Sequence, residues 1–380
     1  MAENLRLFEV PAKPPTTRTI ALTVRTGGAA ALDQAHRRAD DARYQEVTCR
    51  SALNRVKGMP FNWTLNPYRG CTHGCHYCFA RRYQTQFELG PGDEFSSLIF
   101  VKTNFADVLR EELDRPSWNR ELVALGTATD PYQPIEGHYK LTRRSLEALL
   151  AAKTPTGLVT KGPMVIRDAD LLAEIGKGAG CTVHMSVPTV DETAWAALEP
   201  GTAHPLQRLR AVRALRKAGV NAGVLMAPIV PGFTTERSRL EATIRAIAEH
   251  DAAFMGANLL YLKGGTKDHF LGFLRAEFPH LIQGYERLYP GAYAPKPYAE
   301  AVRTLVHTLQ ERYDLRRRRR EGSPPPVEGS PEEDSGGAES GEPPAGPEQA
   351  EFDWSRGSTR SPQAPAVQPR SRSVHPAPRQ

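Results

Sequence analysis

No stretch of the 380-residue chain is apolar for long enough to cross a membrane. The opening residues, MAENLRLFEVPAKPP, lack the charged-then-apolar layout of a secretion signal. These absences lead to the expectation of a cytoplasmic protein with no membrane partner. Cysteine is scarce: five residues are too few for the disulfide framework of a secreted scaffold, and a reducing compartment would not keep one. Clustered cysteines in that setting point to metal or redox chemistry instead. There is no internal repeat of the kind that builds a solenoid.

Aliphatic side chains nearly vanish after Leu315. Residues 316–380 are mostly Pro, Gly, Ser, Glu and Arg, which cannot bury enough apolar surface to offset the entropy of ordering. A disordered tail is expected there. Its ten arginines and ten acidic residues cancel, so the formal excess of six positive charges belongs to residues 1–315. This mild basic bias is compatible with a phosphate-bearing partner such as nucleic acid. Residues 1–50 are polar and Pro/Arg-rich without sustained periodicity, and are expected to wrap the surface as a poorly ordered extension. A core domain over 51–315 is left between them.

Within that core, short apolar runs alternate with amphipathic stretches. The patterns predict strands at 61–65, 122–126, 157–161, 182–187, 220–229 and 257–262, with a further short apolar run at 98–101. Helical periodicity covers 105–113, 141–152, 169–175, 206–218 and 237–250, and more helices follow to about 315. Strand–helix alternation argues for an α/β fold with parallel strands and outer helices. Six such units fall short of the eight of a closed TIM-type barrel, so a partial (β/α)6 barrel is expected. In the strand at 182–187, Thr182, His184 and Ser186 share one face and Val183, Met185 and Val187 the other. The apolar face should pack on helices while the polar face looks into the barrel. His184 is expected to be a hydrogen-bonded interior histidine.

The segment NPYRGCTHGCHYCF, residues 66–79, places Cys71, Cys75 and Cys78 at spacings of four and three. Three thiolates in one tight loop suit an iron–sulfur cluster or zinc. A 4Fe–4S cluster held by three cysteines leaves one iron without a protein ligand, open to the amino and carboxylate groups of S-adenosylmethionine (SAM). Gly70 and Gly74 permit the backbone angles such a loop requires, and Tyr77 is placed to pack against an adenine. The alternative is a structural Cys3His zinc site using His73 or His76, in a nucleic-acid-binding protein without catalysis. Zinc sites draw ligands from two separated pairs more often than from one loop. Cys49 and Cys181 lie outside the loop and cannot supply a second set of three ligands.

At this loop the chain resembles the radical SAM superfamily. The resemblance continues through GTATDPYQPIE (126–136), VTK (159–161), LEPG (198–201) and GVLMAPIVP (223–231), covering roughly 55–315, and is similar to the spore photoproduct lyase-like branch. It implies a 4Fe–4S cluster on Cys71, Cys75 and Cys78, reductive cleavage of SAM to a 5′-deoxyadenosyl radical, and hydrogen abstraction from a substrate. An external one-electron reductant of flavodoxin or ferredoxin type is implied as partner. By position, Thr129 and Asp130 correspond to residues that hold SAM after the second barrel strand. Lys161 would meet the SAM carboxylate or ribose, and Ser186 the ribose; otherwise they are a surface lysine and a satisfied barrel serine. The branch's namesake carries a cysteine after that second strand as hydrogen donor to the product radical. Here Thr127 stands in its place, and a threonine hydroxyl is a poor hydrogen-atom donor, so the resemblance stops short of thymine-dimer repair. Cys49 could substitute by folding over the barrel mouth.

Weaker signals include the basic run 316–320, which could grip phosphates or simply be solvated. The prolines at 324–326 read as an extended linker. KGGTK (263–267) has the wrong glycine spacing for a phosphate loop and is expected to close one side of the substrate pocket.

Overall fold

The computed structural model of the chain describes residues 42–87 and 92–315. The expectations for residues 1–41 and for the tail from 316 lie outside these. The strands in chain order are β1 (Arg43–Val47), β2 (Asn54–Arg55), β3 (Trp63–Leu65), β4 (Tyr68–Arg69) and β5 (Leu98–Lys102). They continue with β6 (Val123–Leu125), β7 (Thr156–Thr160), β8 (Cys181–Ser186), β9 (Asn221–Ile229) and β10 (Met255–Leu259). The longer helices are α1 (Phe105–Leu113), α2 (Leu141–Ala151), α3 (Ala169–Gly178), α4 (Pro205–Lys217), α5 (Arg237–Glu249), α6 (Gly265–Glu277) and α7 (Lys296–Arg312).

Six strands run parallel in the order β3-β6-β7-β8-β9-β10, and β2 adds antiparallel to β3 at one edge. The sheet ends at β2 and β10 and does not close. This is the open (β/α)6 arrangement that the alternation of runs predicts. The register Leu65, Leu125, Leu158, Val183, Ala222 forms a layer across five neighbouring strands, each residue fully buried. Aliphatic side chains at one level of successive parallel strands remove a continuous apolar surface from water, which is what holds such a sheet to its helices. On β8 the predicted phase is found: Val183 and Met185 are fully buried, while Thr182 and His184 on the other face are half-buried.

Local rules fix the helices. In α1 the buried residues Phe105, Ala106, Leu109 and Leu113 fall at helical spacing. In α4 Pro205 occupies the first turn, His204 accepts a hydrogen bond from the Leu206 amide, and Arg216 and Lys217 lie in the last turn.

The structure differs from the sequence reading in two places. The further apolar run at 98–101, outside the six barrel strands, is β5, the centre of a separate three-stranded sheet in the order β1-β5-β4. Arg43–Val47 falls inside the segment expected to be poorly ordered, yet it forms β1 and pairs with all of β5. The last barrel strand is Met255–Leu259 rather than 257–262. Its pairing with β9 begins at Met255↔Val224 and slips between Ala257 and Leu259. Beyond it Leu262 donates its amide to Ala292 rather than to β9.

Candidate functional site

The cysteine loop leaves β3 at its carboxyl end, the end at which barrel folds place their sites. Gly70 starts it at φ +80°, with the Leu98 carbonyl so near that a Cβ would lie 2.6 Å from it; only glycine fits both demands. Cys71 and Cys75 are buried and Cys78 half-buried. The loop's inward carbonyls are answered by Arg81, which is 2% exposed. Its Nε donates to Cys75 O at 2.9 Å and its Nη2 to Gly74 O at 2.7 Å. A single guanidinium thereby adds two hydrogen bonds to the backbone of the turn.

Two further segments grip the loop from opposite sides. From the β6 side, Thr129 Oγ1 donates to Gly70 O at 2.6 Å, and Gln133 Oε1 accepts from the Thr72 amide at 3.1 Å. From the β8 side comes LEPG. Leu198 O accepts from the His76 amide at 3.0 Å, and the Gly201 amide donates to His73 O at 3.0 Å. The Tyr77 hydroxyl donates to Glu199. Two loops far apart in sequence thus hold the thiols where they are.

Asp130 joins the cysteine loop to the barrel. Its carboxylate accepts from Thr160 Oγ1 at 2.6 Å, from the Tyr132 amide at 2.9 Å and from the Lys161 amide at 2.6 Å. His73 Nδ1 stands 3.3 Å from it. Burial opposes the charge on Asp130, but His73 outweighs it and holds the carboxyl below its usual range. Both oxygens are spent on protein partners. The structure therefore makes Asp130 a joint between loops, and Thr129 likewise spends its hydroxyl on Gly70.

Lys161 and Ser186 meet at the carboxyl ends of β7 and β8, Nζ donating to Oγ at 2.9 Å. The ammonium lies 5.6 Å from the centroid of the Tyr77 ring and 3.8 Å from Glu199 Oε1. Glu199 also takes a short hydrogen bond from Arg208, whose Nη1 donates to Ser186 O at 2.9 Å. Burial works against the charge on Lys161, yet Cys75 and Glu199 outweigh it and hold the ammonium above its ordinary value. Burial likewise opposes ionisation of Glu199, but Arg208 and Lys161 keep its carboxyl below the usual range. The thiols of Cys75 and Cys78 are pushed up, first by burial. A bound cation is what turns such thiols into thiolates.

Of the residues singled out from the sequence, the three cysteines, Tyr77, Lys161 and Ser186 come together. Thr129 and Asp130 stand just behind them. Glu199, Arg208, Arg81 and Gln133 were not singled out, although Glu199 sits inside the LEPG signature. Cys181 is buried at the start of β8, the end away from the site. Cys49 does not fold over the mouth as an exposed donor: it is buried in the main core, with its amide and carbonyl both bonded to the Asn104 side chain. His184 is interior but not hydrogen-bonded through Nδ1, which has no partner; its ring rests edge-on against Phe254 at 5.0 Å. Thr127 accepts from Asn66 at 3.2 Å. Thr266, in the KGGTK turn, donates to Cys78 O at 3.2 Å, so that turn abuts the cysteine loop.

Three thiols carried by one loop are a donor set that suits a cluster held by three cysteines. His73 is engaged by Asp130, and His76 is stacked on Phe273 at 3.9 Å with its Nδ1 3.2 Å from His269.

The radical SAM superfamily family model matches residues 65–247. An uncharacterized protein of Mycobacterium tuberculosis is 40% identical over 280 residues, 73% of this chain and 82% of the relative. Among solved structures, a point mutant of spore photoproduct lyase superposes with a TM-score of 0.57 at 16% identity, covering 80% of this chain and 85% of that one. Another mutant of that lyase, with bound AdoMet and dinucleoside spore photoproduct, gives 0.54 at 14% identity over the same shares. At such identities these structures establish a common fold. The family match spans the cysteine loop and both segments that grip it, and on that ground the chain belongs to the radical SAM superfamily and is an enzyme.

Proposed function

We propose that the chain holds a 4Fe–4S cluster on Cys71, Cys75 and Cys78, holds SAM beside Lys161 and Ser186, and abstracts hydrogen from a nucleic-acid substrate. When bound and reduced by one electron, these two groups supply a 5′-deoxyadenosyl radical that takes the substrate hydrogen. The loop offers three thiols from one turn, and a cluster held by three thiolates leaves one iron to SAM.

The protein's part is placement. Lys161 is the cation for the SAM carboxylate or ribose oxygens, Ser186 the hydroxyl for the ribose, and the Tyr77 ring the apolar surface for the adenine. Glu199 keeps both Tyr77 and Lys161 in position. Thr129 and Asp130 act at one remove, by holding the loops that carry Cys71 and Lys161. The electron comes from an external carrier of flavodoxin or ferredoxin type. The nucleic-acid reading is supported by the dinucleoside bound in the lyase of like fold and by the basic excess of residues 1–315. Thymine-dimer repair is not proposed, because Thr127 replaces the hydrogen-donating cysteine.

The observation that carries this reading is one loop bearing three thiols, two buried and one half-buried, gripped by two other loops beside the Lys161–Ser186 pair. The test is anaerobic reconstitution of the wild type and of Cys75→Ala, reduction with dithionite in the presence of SAM, and chromatographic measurement of 5′-deoxyadenosine. Product from the wild type alone is expected. Uptake of zinc without iron under those conditions would overturn the proposal.

A further inference from the structure

The barrel mouth carries more aromatic surface than the proposed cofactor site uses. Phe79 and Tyr293 are 42% and 55% exposed, although rings of that size are ordinarily covered. They come from distant parts of the chain. Phe79 follows Cys78 directly, whereas Tyr293 precedes α7. Tyr261 lies just past the carboxyl end of β10. The hydrogen bond from the Leu262 amide to Ala292 O, at 2.9 Å, brings Tyr261 and Tyr293 together with ring centroids 4.7 Å apart.

On the facing side, Phe79 meets Tyr83 edge-on at 6.3 Å. Arg82 belongs to this second pair. Its guanidinium lies over the Tyr83 ring, 4.9 Å from the centroid, and its Nη2 donates to the Tyr83 hydroxyl at 3.0 Å. Thr266 Oγ1 lies 3.4 Å from Phe79 O and Lys267 Nζ donates to Tyr289 O at 2.7 Å, so the KGGTK turn joins this pair to the segment that carries Tyr293. Exposed Lys263 stands two residues beyond Tyr261. Thr266, which reaches the Cys78 carbonyl, fixes this wall to the cysteine loop.

Rings and a guanidinium offer faces to a flat ligand, and Arg82 with Lys263 offers charge to a phosphate link. In an intact duplex the base faces are already stacked and only the edges are open. An aromatic rim therefore finds a partner only where bases are unpaired or turned out. An aromatic side chain of a peptide would stack equally well, but it brings no phosphate for the two cations. We propose that Phe79, Tyr83, Tyr261 and Tyr293, with Arg82 and Lys263, form a stacking seat for unpaired nucleobases, so that the enzyme takes single-stranded or looped-out nucleic acid rather than duplex. This rests on the nucleic-acid reading above and specifies the form of nucleic acid.

The test uses the full-length chain with its cluster reconstituted anaerobically. Fluorescence anisotropy would measure binding to labelled single-stranded DNA and RNA, to duplex DNA of the same sequence, and to a Phe/Tyr-rich peptide. The wild type is compared with a Tyr261→Ala/Tyr293→Ala variant matched for iron content and melting temperature. One or both single strands should bind at least about tenfold tighter than duplex, and the variant should lose about tenfold or more on the strand that binds. Arg82→Gln should lower affinity and reduce the salt slope by about one, which keeps the test informative if the double variant folds poorly. Duplex binding equal to single-strand binding, or undiminished binding by both variants, would overturn the seat and leave the nucleic-acid reading standing. No binding to any nucleic acid by the wild type would overturn both. Tyrosine-dependent binding of the peptide alone would make the rim a peptide site and sink the proposal.

Discussion

A carboxylate that is only 2% exposed needs its charge answered from several sides, and Glu199 is answered by Arg208, Lys161 and the Tyr77 hydroxyl. Breaking one partner of a buried pair costs more than the pair contributes, because the remaining charge stays buried. Glu199→Ala leaves Arg208 fully buried and without its counter-charge, and should destabilise the fold by about 3–5 kcal/mol. Glu199→Gln keeps an acceptor for Tyr77 and a similar shape, so it should cost clearly less. Denaturant melts of the two variants decide it; an alanine variant within about 1 kcal/mol of wild type would show that the network is slack. His184 presents the opposite situation. Burial without a partner at Nδ1 pushes its pKa down to about 4, against an unfolded value near 6.5. Between those two values the unfolded chain binds a proton that the native chain does not. Stability is therefore full above about pH 6.5, falls as pH drops towards 4, and levels off below; the loss is roughly 3 kcal/mol. Denaturant midpoints at pH 7, 5.5 and 4.5 should show this decline in the wild type and a shallower one in His184→Gln. Parallel curves would refute it.

At the scale of elements, the site is a loop held by two other loops. The β6 loop grips Gly70 and Thr72, and LEPG grips His73, His76 and Tyr77. Gly201 shows how close that second grip is, since a Cβ there would lie 2.2 Å from Thr72 O and 2.9 Å from His73 O. Both atoms are backbone, so no side chain can swing aside, and the cysteine loop itself must shift. Gly201→Ala should cost about 1–3 kcal/mol or more. It should also lower iron and sulfide per chain after reconstitution, read by colorimetric assay beside the wild type. Full cluster loading in that variant would mean that LEPG does not hold the thiols. The small β1-β5-β4 sheet belongs to the same scale, because β4 lies within the stretch that becomes the cysteine loop and so anchors its entry.

For the whole molecule, the proposed cluster is expected to be part of the stability. Ligands that bind only the native state raise its melting temperature, and burial makes the thiols of Cys75 and Cys78 costly to ionise without a bound cation. Reconstituted wild-type protein should melt about 4 °C or more above the iron-free form in calorimetry under argon. That difference should disappear in Cys75→Ala. No helix of the described residues is long and apolar enough to cross a membrane.

Features that depend on near neighbours could be read from the residues alone. Helices such as Phe105–Leu113 and Arg237–Glu249 were legible to within a residue, because periodicity and chain breaks lie inside the segment. The three cysteines were legible because their spacing fits one turn. The count of six barrel strands followed from repeated alternation. Tertiary structure alone decided the rest. The polar strand RYQEV, β1, carries no alternating apolar face, and only its pairing with β5 makes it a strand. Arg208 is one of five basic residues in α4, and nothing in PLQRLRAVRALRK marks which one turns inward. Its burial is sustained by Glu199, nine residues away, and Glu199 in turn by Tyr77, 122 residues away. Charged side chains read as solvated until their partners are known, since a buried charge survives only when paired. The three cysteines were therefore readable from the sequence, and the charges that hold their loop in place only from the tertiary fold.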